Sequence, residues 1–256
     1  MAMPPLRPLS IGEILDASFG MYRRLLGPLV SISLLCSGLP SVINVYLDSA
    51  GGRAQQPVLY LANLVLTVVL SALATAATVY LVSAGYLGRS LTAGEALGKA
   101  MPLTGQIFRL SISVGLATFV GFVLFVIPGF IVLCGYILST QAMVIESLGV
   151  GNAMSRSWDL TKGYRWRMLG LLLTVGVIIS VLVVGVALLA GLVVGLSGEA
   201  GPATTAGELI AGIAAALVSL IVYPLFYCML TITYYDLRIR KEGFDLELLA
   251  SSLRKA

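Results

Sequence analysis

The stretch LSISVGLATFVGFVLFVIPGFIVLCGYILSTQAMVIE, Leu110–Glu146, is one unbroken apolar run that lacks any charge before its last residue. A helix needs about 20 residues to cross a hydrocarbon core of about 30 Å. At about 1.5 Å per residue the run is too long for one upright crossing. Near its centre stands VIPGF, Val126–Phe130, and Pro-Gly is a turn signal. Two readings are open: two spans joined by a tight turn, or one long tilted helix kinked at Pro128.

The rest of the chain is of the same kind. Its 256 residues are 58% hydrophobic and 11% charged, with a mean hydropathy of +0.99. A soluble domain carries about 25% charged residues, so this balance belongs to a membrane protein. Four more apolar runs stand out at Leu25–Leu47, Val58–Leu87, Met168–Leu196 and Leu209–Leu237. Dividing Leu110–Glu146 gives six transmembrane helices. Lys and Arg concentrate in cytoplasmic loops. With six spans and an inside N-terminus, fifteen of the sixteen basic residues fall on one side, and Arg53 alone on the other. Five spans would put the basic C-terminus opposite the N-terminus. Charge placement therefore favours six, with both termini cytoplasmic. Tyr22, Trp158, Tyr164, Trp166, Tyr234 and Tyr235 fall at the cytoplasmic boundaries, where aromatic rings act as interface anchors. The first run follows Arg23 and Arg24 and is too long for the apolar region of a signal peptide, so no secretory signal is expected.

Two similar openings, SIGE at Ser10–Glu13 and TAGE at Thr92–Glu95, precede apolar runs. Each fits a capping box, a hydroxyl at the N-cap with a carboxylate three residues on. After them Ile11, Ile14, Leu15, Ser18 and Phe19, then Ala93, Ala96, Leu97, Ala100 and Met101, occupy one face of a helix. The same offsets recur at Val150, Ala153, Met154, Ser157 and Trp158, where Gly149 and Asn152 replace the capping pair. The predicted fold is all-α: three parallel units (9–87, 91–146 and 148–237), each an interfacial helix lying apolar face down on the membrane followed by a helical hairpin. The segment 238–256 is a short cytoplasmic tail, in which Phe244, Leu248, Leu249 and Leu253 form an apolar stripe.

No Asp, Glu, Lys or Arg stands near the middle of a span, which counts against an ion channel or proton-coupled pump. SALATAATV in span two, and Gly191 with Gly195 in span five, allow close helix packing within one chain or, in the second case, at a dimer face. Pro40 and Pro224 are expected to kink spans one and six. Cys36, Cys134 and Cys228 are far apart and read as small apolar core residues. The absence of histidine removes the commonest metal ligand and general base. No cofactor and no nucleic-acid partner is expected.

GEILDASFGMYRR (Gly12–Arg24), VIPGF, ESLGVGNAMSRSWDLTKGYRWRMLG (Glu146–Gly170) and YYDLRIRKEGFDLELL (Tyr234–Leu249) together resemble the bacterial membrane domain found beside glycerophosphoryl diester phosphodiesterases, and related inner-membrane families of unknown activity. The resemblance implies a multi-span helical domain of the bacterial cytoplasmic membrane. It does not imply the phosphodiesterase activity, whose separate catalytic domain uses histidines, carboxylates and a metal.

Three functions are weighed. A scaffold, assembly or partner-binding component without catalysis accords with the missing catalytic groups; its partners are membrane lipids and a membrane or cytoplasmic protein. A lipid or small-molecule transporter would gather anionic headgroups at Arg109, Arg156, Arg165 and Arg167, with Trp158 and Trp166 beside them. An intramembrane enzyme would need Glu146, Asp159 and Asp236 to converge. A polar path through the bundle favours transport, and a filled bundle favours the scaffold.

Overall fold

The computed structural model describes residues 7–49, 56–196 and 205–243. Every regular element among them is helical, and six stretches are long and apolar enough to cross a membrane. These spans are Leu26–Leu47, Pro57–Tyr86, Ala93–Leu124, Val126–Glu146, Arg165–Leu189 and Leu220–Glu242. The tail stripe from Phe244 to Leu253 and Arg53 lie outside the described residues.

The helices are α1 (Ile11–Arg24), α2 (Leu26–Ser33), α3 (Leu39–Ser49), α4 (Pro57–Tyr86), α5 (Ala93–Ala100), α6 (Thr104–Leu124), α7 (Val126–Tyr136), α8 (Ser139–Glu146), α9 (Val150–Thr161), α10 (Arg165–Leu196) and α11 (Thr205–Glu242). Spans two and six, on α4 and α11, form the centre. In span six 61% of the most apolar window is buried, against 6% in span five. The small-residue stretch Ala72–Val79 belongs to the core around the two central spans. Ala74, Ala76, Ala77 and Val79 are fully buried, and side chains this small allow helices to pack closely. Tyr86 stacks on Tyr235 with ring centres 4.6 Å apart, and the Ser83 and Tyr235 hydroxyls meet at 2.6 Å.

Pro40 does not simply bend span one. A π-helical turn at Leu34–Gly38 joins α2 to α3. The extra residue in that turn relieves the clash between a helical proline and the carbonyl four residues earlier. The Pro40 carbonyl accepts from Asn63 Nδ2 at 3.2 Å, and the same amide reaches Asn44 at 2.9 Å. Pro224 lies inside α11, which continues through it.

The long run Leu110–Glu146 divides at Phe125, whose backbone is extended. Pro128 stands in the first turn of α7, where a missing N–H removes a donor that has no helical partner anyway. Gly121 and Gly129 face each other. A Cβ on Gly121 would stand 3.1 Å from the Gly129 Cα, and one on Gly129 would stand 2.4 Å from the Phe122 ring. Two glycines, rather than the proline alone, therefore close the hairpin. The turn is apolar throughout, and Phe125 is 76% exposed.

Two expectations are corrected. The amphipathic helices do not lie apolar face down on lipid; their small residues let them dock on protein. Ile14 and Ser18 of α1 are buried against α11, Ala96 and Ala100 of α5 against α4, and Ala153 and Ser157 of α9 against α7 and α8. Among the boundary aromatics, Tyr22, Tyr234 and Tyr235 are buried core residues, whereas Trp166 is 85% exposed. A span register that ends on ion pairs, described below, draws the two tyrosines inward. The cysteines are buried and free. Among the described residues, a Cβ on Gly191 would meet nothing within 4 Å.

Candidate functional site

Charged side chains collect at the end of the bundle where α11 terminates. Ser10 caps α1: its hydroxyl accepts from the Glu13 N–H at 3.3 Å, and Glu13 accepts from the Ser10 N–H at 2.8 Å. Thr92 and Glu95 cap α5 in the same way, at 3.3 and 2.8 Å. The Ser10 N–H, helped by Arg7, holds the Glu13 carboxyl well below its ordinary value, at about 2. Gly149 begins α9 without a side-chain cap.

Two ion-pair networks tie α9, α10 and the segment entering α1 to α11. In the first, Arg156 of α9 is bidentate to Glu146, with Nε at 2.9 and 3.0 Å and Nη2 at 2.8 Å, and also bonds Glu242 at 2.8 Å. Arg238 donates to Glu242 at 3.1 Å, and the Tyr234 hydroxyl donates to Glu146. The bond to Glu242 is the largest reason that the Arg156 guanidinium is held above its usual range; burial opposes it and Glu146 reinforces it. In the second network the buried Asp236 accepts from the Leu9 N–H at 2.7 Å and from Arg240 at 3.0 Å, with Arg167 at 3.2 Å. Arg240 also reaches the Leu9 carbonyl at 2.7 Å, and Arg167 bonds the same atom. Buried charges require such pairing. Arg156 and Arg167 are thus turned inward and committed to carboxylates. Glu146 and Asp236 belong to different networks. Asp159 is exposed and offers its backbone carbonyl to Lys241.

A discontinuity in span four sets the remaining geometry. Between α7 and α8 the helix turns at Ile137–Leu138, which frees backbone groups that lipid cannot satisfy. Ser157 of α9 fills the gap, donating to the Gly135 carbonyl at 2.7 Å and accepting from the Leu138 N–H at 3.2 Å. Thr161 adds a donor to Gly135 at 3.3 Å. Trp158, between them, lies against Gly135, where a Cβ would stand 2.4 Å from its ring. Arg165 stacks on the Trp158 ring, with Cζ 3.8 Å from its centroid.

Beside this stack a groove of about 530 Å³ opens between α7 and the start of α10. Val126, Ile127, Phe130, Ile131, Cys134 and Leu169 make its apolar walls, and Lys162, Arg165 and Trp166 stand at its rim. Of the six headgroup candidates taken from the sequence, Arg165 and Trp166 meet here, with Trp158 directly behind. Arg109 is exposed and does not line the groove. Lys162 was missed, since the sequence marks it only as one of many basic boundary residues. The sequence pattern puts Ser157 on an apolar face and does not single out Thr161; their i, i+4 spacing is the available signal.

The profile of a domain of unknown function, DUF7847, matches residues 47–237. The chain belongs to the DUF7847 family. No curated protein and no solved structure matches it. The DUF7847 match takes in both central spans, the interrupted fourth span, α9 and the groove. It leaves out α1 and, from the two networks, Leu9, Arg238, Arg240 and Glu242. It assigns no activity, and the likeness to the phosphodiesterase-associated membrane domain rests on the quoted motifs alone.

Proposed function

We propose that this chain is a non-catalytic scaffold, assembly or partner-binding component of the bacterial cytoplasmic membrane, with the charged end of the bundle and both termini in the cytoplasm. One observation carries the reading: at that end the carboxylates and arginines are spent on joining α1, α9 and α11 into a fixed plate. Glu146, Asp236 and Glu242 each face arginine partners, an arrangement suited to holding a shape. The buried alanines of span two support the same view, because they fill the centre where a transport path would run. The capped helices α1 and α5, and α9 after them, each precede a pair of spans. This order supports three parallel units, and it accords with the likeness to the phosphodiesterase-associated membrane domain.

Isolation in nanodiscs without detergent extraction, followed by mass spectrometry, tests the scaffold reading. A protein present in fixed stoichiometry is the expected result; lipid alone would favour the transporter. A reporter fused after Ala256 is expected to be active in the cytoplasm, and periplasmic activity would overturn the orientation. Lipid transport is the second reading, favoured by the lateral groove beside an interrupted span, a feature shared with transporter substrate sites.

A further inference from the structure

We propose that the groove between α7 and α10 holds one anionic phospholipid, its phosphate at Lys162 and Arg165 and an acyl chain along α7. This site is independent of the scaffold reading, since it requires only that the chain lie in a bilayer. The volume, about 530 Å³, falls within the range of roughly 300–1,000 Å³ typical of small-molecule sites. The groove opens sideways: Ile127 is 71% exposed on one wall and Trp166 stands out at the other. From Val126 to Cys134 the wall rises about 12 Å at helical pitch, and it offers an acyl chain only apolar side chains and one thiol.

Charge complementarity selects the occupant. Arg156, Arg167, Arg238 and Arg240 are all paired with carboxylates. Lys162 and Arg165, the two cations of the rim, have no carboxylate partner among the described residues, and Arg165 Nε is shut off from solvent without a hydrogen-bond acceptor. The guanidinium is held flat by Trp158, which Gly135 and the helix break seat in turn, so the cation is fixed before a ligand arrives. An anionic headgroup satisfies both cations, while the ammonium of a zwitterionic lipid would meet Lys162 as a like charge. A soluble phosphate would leave the apolar walls unused. Trp166 at the rim suits the headgroup level, where amphipathic rings are favoured.

The two tryptophans, Trp158 and Trp166, report the occupant. The full chain is placed in nanodiscs of phosphatidylcholine containing phosphatidylglycerol as the minor lipid, with bromine on the acyl chains of one lipid or the other. Brominated phosphatidylglycerol is expected to quench tryptophan emission about thirtyfold more effectively per molecule, the scale set by two basic contacts near an anionic lipid. Lys162→Gln with Arg165→Gln should bring the ratio to about one, with helix content checked by circular dichroism. Lys162→Gln alone, at an exposed position that supports no other residue, should lower it several-fold and covers the case in which the double variant fails to fold. Equal quenching by both lipids in the parent chain overturns the proposal. So does a ratio that the lysine variant leaves unchanged, or emission indifferent to either lipid because a partner protein covers the groove.

Discussion

The Asp236 carboxylate accepts the Leu9 backbone N–H at 2.7 Å, across 227 positions of sequence. A carboxylate near the end of span six therefore also anchors the segment entering α1. Arg167 and Arg240 complete the junction by holding the Leu9 carbonyl, so three elements meet at one residue.

Replacing Asp236 by Asn leaves two arginines beside a neutral amide. Removing one partner of a buried pair costs about 3–5 kcal/mol. The variant is expected to unfold at lower temperature and to exchange the Leu9 amide hydrogen faster, as the N-terminal segment is released. Exchange of the Leu9 amide no faster than in the parent chain would show that Leu9 is held by something else.

Gly135 and Trp158 should behave as a coupled pair. Gly135→Ala puts a Cβ into the indole, and overpacking of this kind costs about 1–3 kcal/mol. In a Trp158→Ala background the added methyl meets no ring and should cost much less. A double-mutant cycle of thermal stability reads the coupling, expected at 0.5 kcal/mol or more in magnitude; simple additivity would contradict the contact.

The hairpin turn at Phe125 has no polar side chain to offer water, unlike the polar sequences at 50–55 and 197–204. A cysteine at Phe125 in a chain whose other cysteines are changed to alanine should react with a membrane-permeant maleimide. It should resist an impermeant one added from either side. Rapid labelling by the impermeant reagent would place the turn in water.

The α1 cap has a defined pH signature. Glu13 is held at about 2, below its ordinary 4.5. A carboxylate depressed in the folded state contributes stability that is complete above its unfolded value and is lost as pH falls through the folded one. Docking of α1 should therefore be insensitive to Glu13 above about pH 5 and weaken between about 4.5 and 2. Amide exchange at Ile11–Ile14 follows this. Ser10→Ala should weaken the cap by about 1 kcal/mol at neutral pH, and an unchanged exchange rate would remove the cap from the account.

How much of this was legible beforehand differs by scale. Span number followed from length and hydropathy, because a bilayer fixes how many apolar residues one crossing requires. The caps at Ser10 and Thr92 were readable because a capping box is local, its two partners three residues apart. The division of Leu110–Glu146 was readable from Pro128, although the extended residue is Phe125 and the close contact belongs to Gly121 and Gly129.

Which charges are free was not readable. Arg156, Arg165 and Arg167 look alike in sequence, three cations at one boundary, and hydropathy gives them one role. The fold separates them, since Glu146 and Glu242 converge on Arg156, Asp236 on Arg167, and no described carboxylate reaches Arg165. Pairing depends on the approach of α11 to α1 and α9, contacts between residues tens to hundreds of positions apart that no local pattern encodes. The same holds for Ser157 and Thr161, whose spacing announces a helical face but not the broken helix that their hydroxyls repair. The sequence alone determined that the chain is a six-span helical protein with one strongly charged end, because water and hydrocarbon sort side chains by polarity wherever they occur. Only the tertiary structure decided which of those charges hold the molecule together and which are left without a carboxylate among the described residues, because that depends on distances of a few ångströms between separate helices.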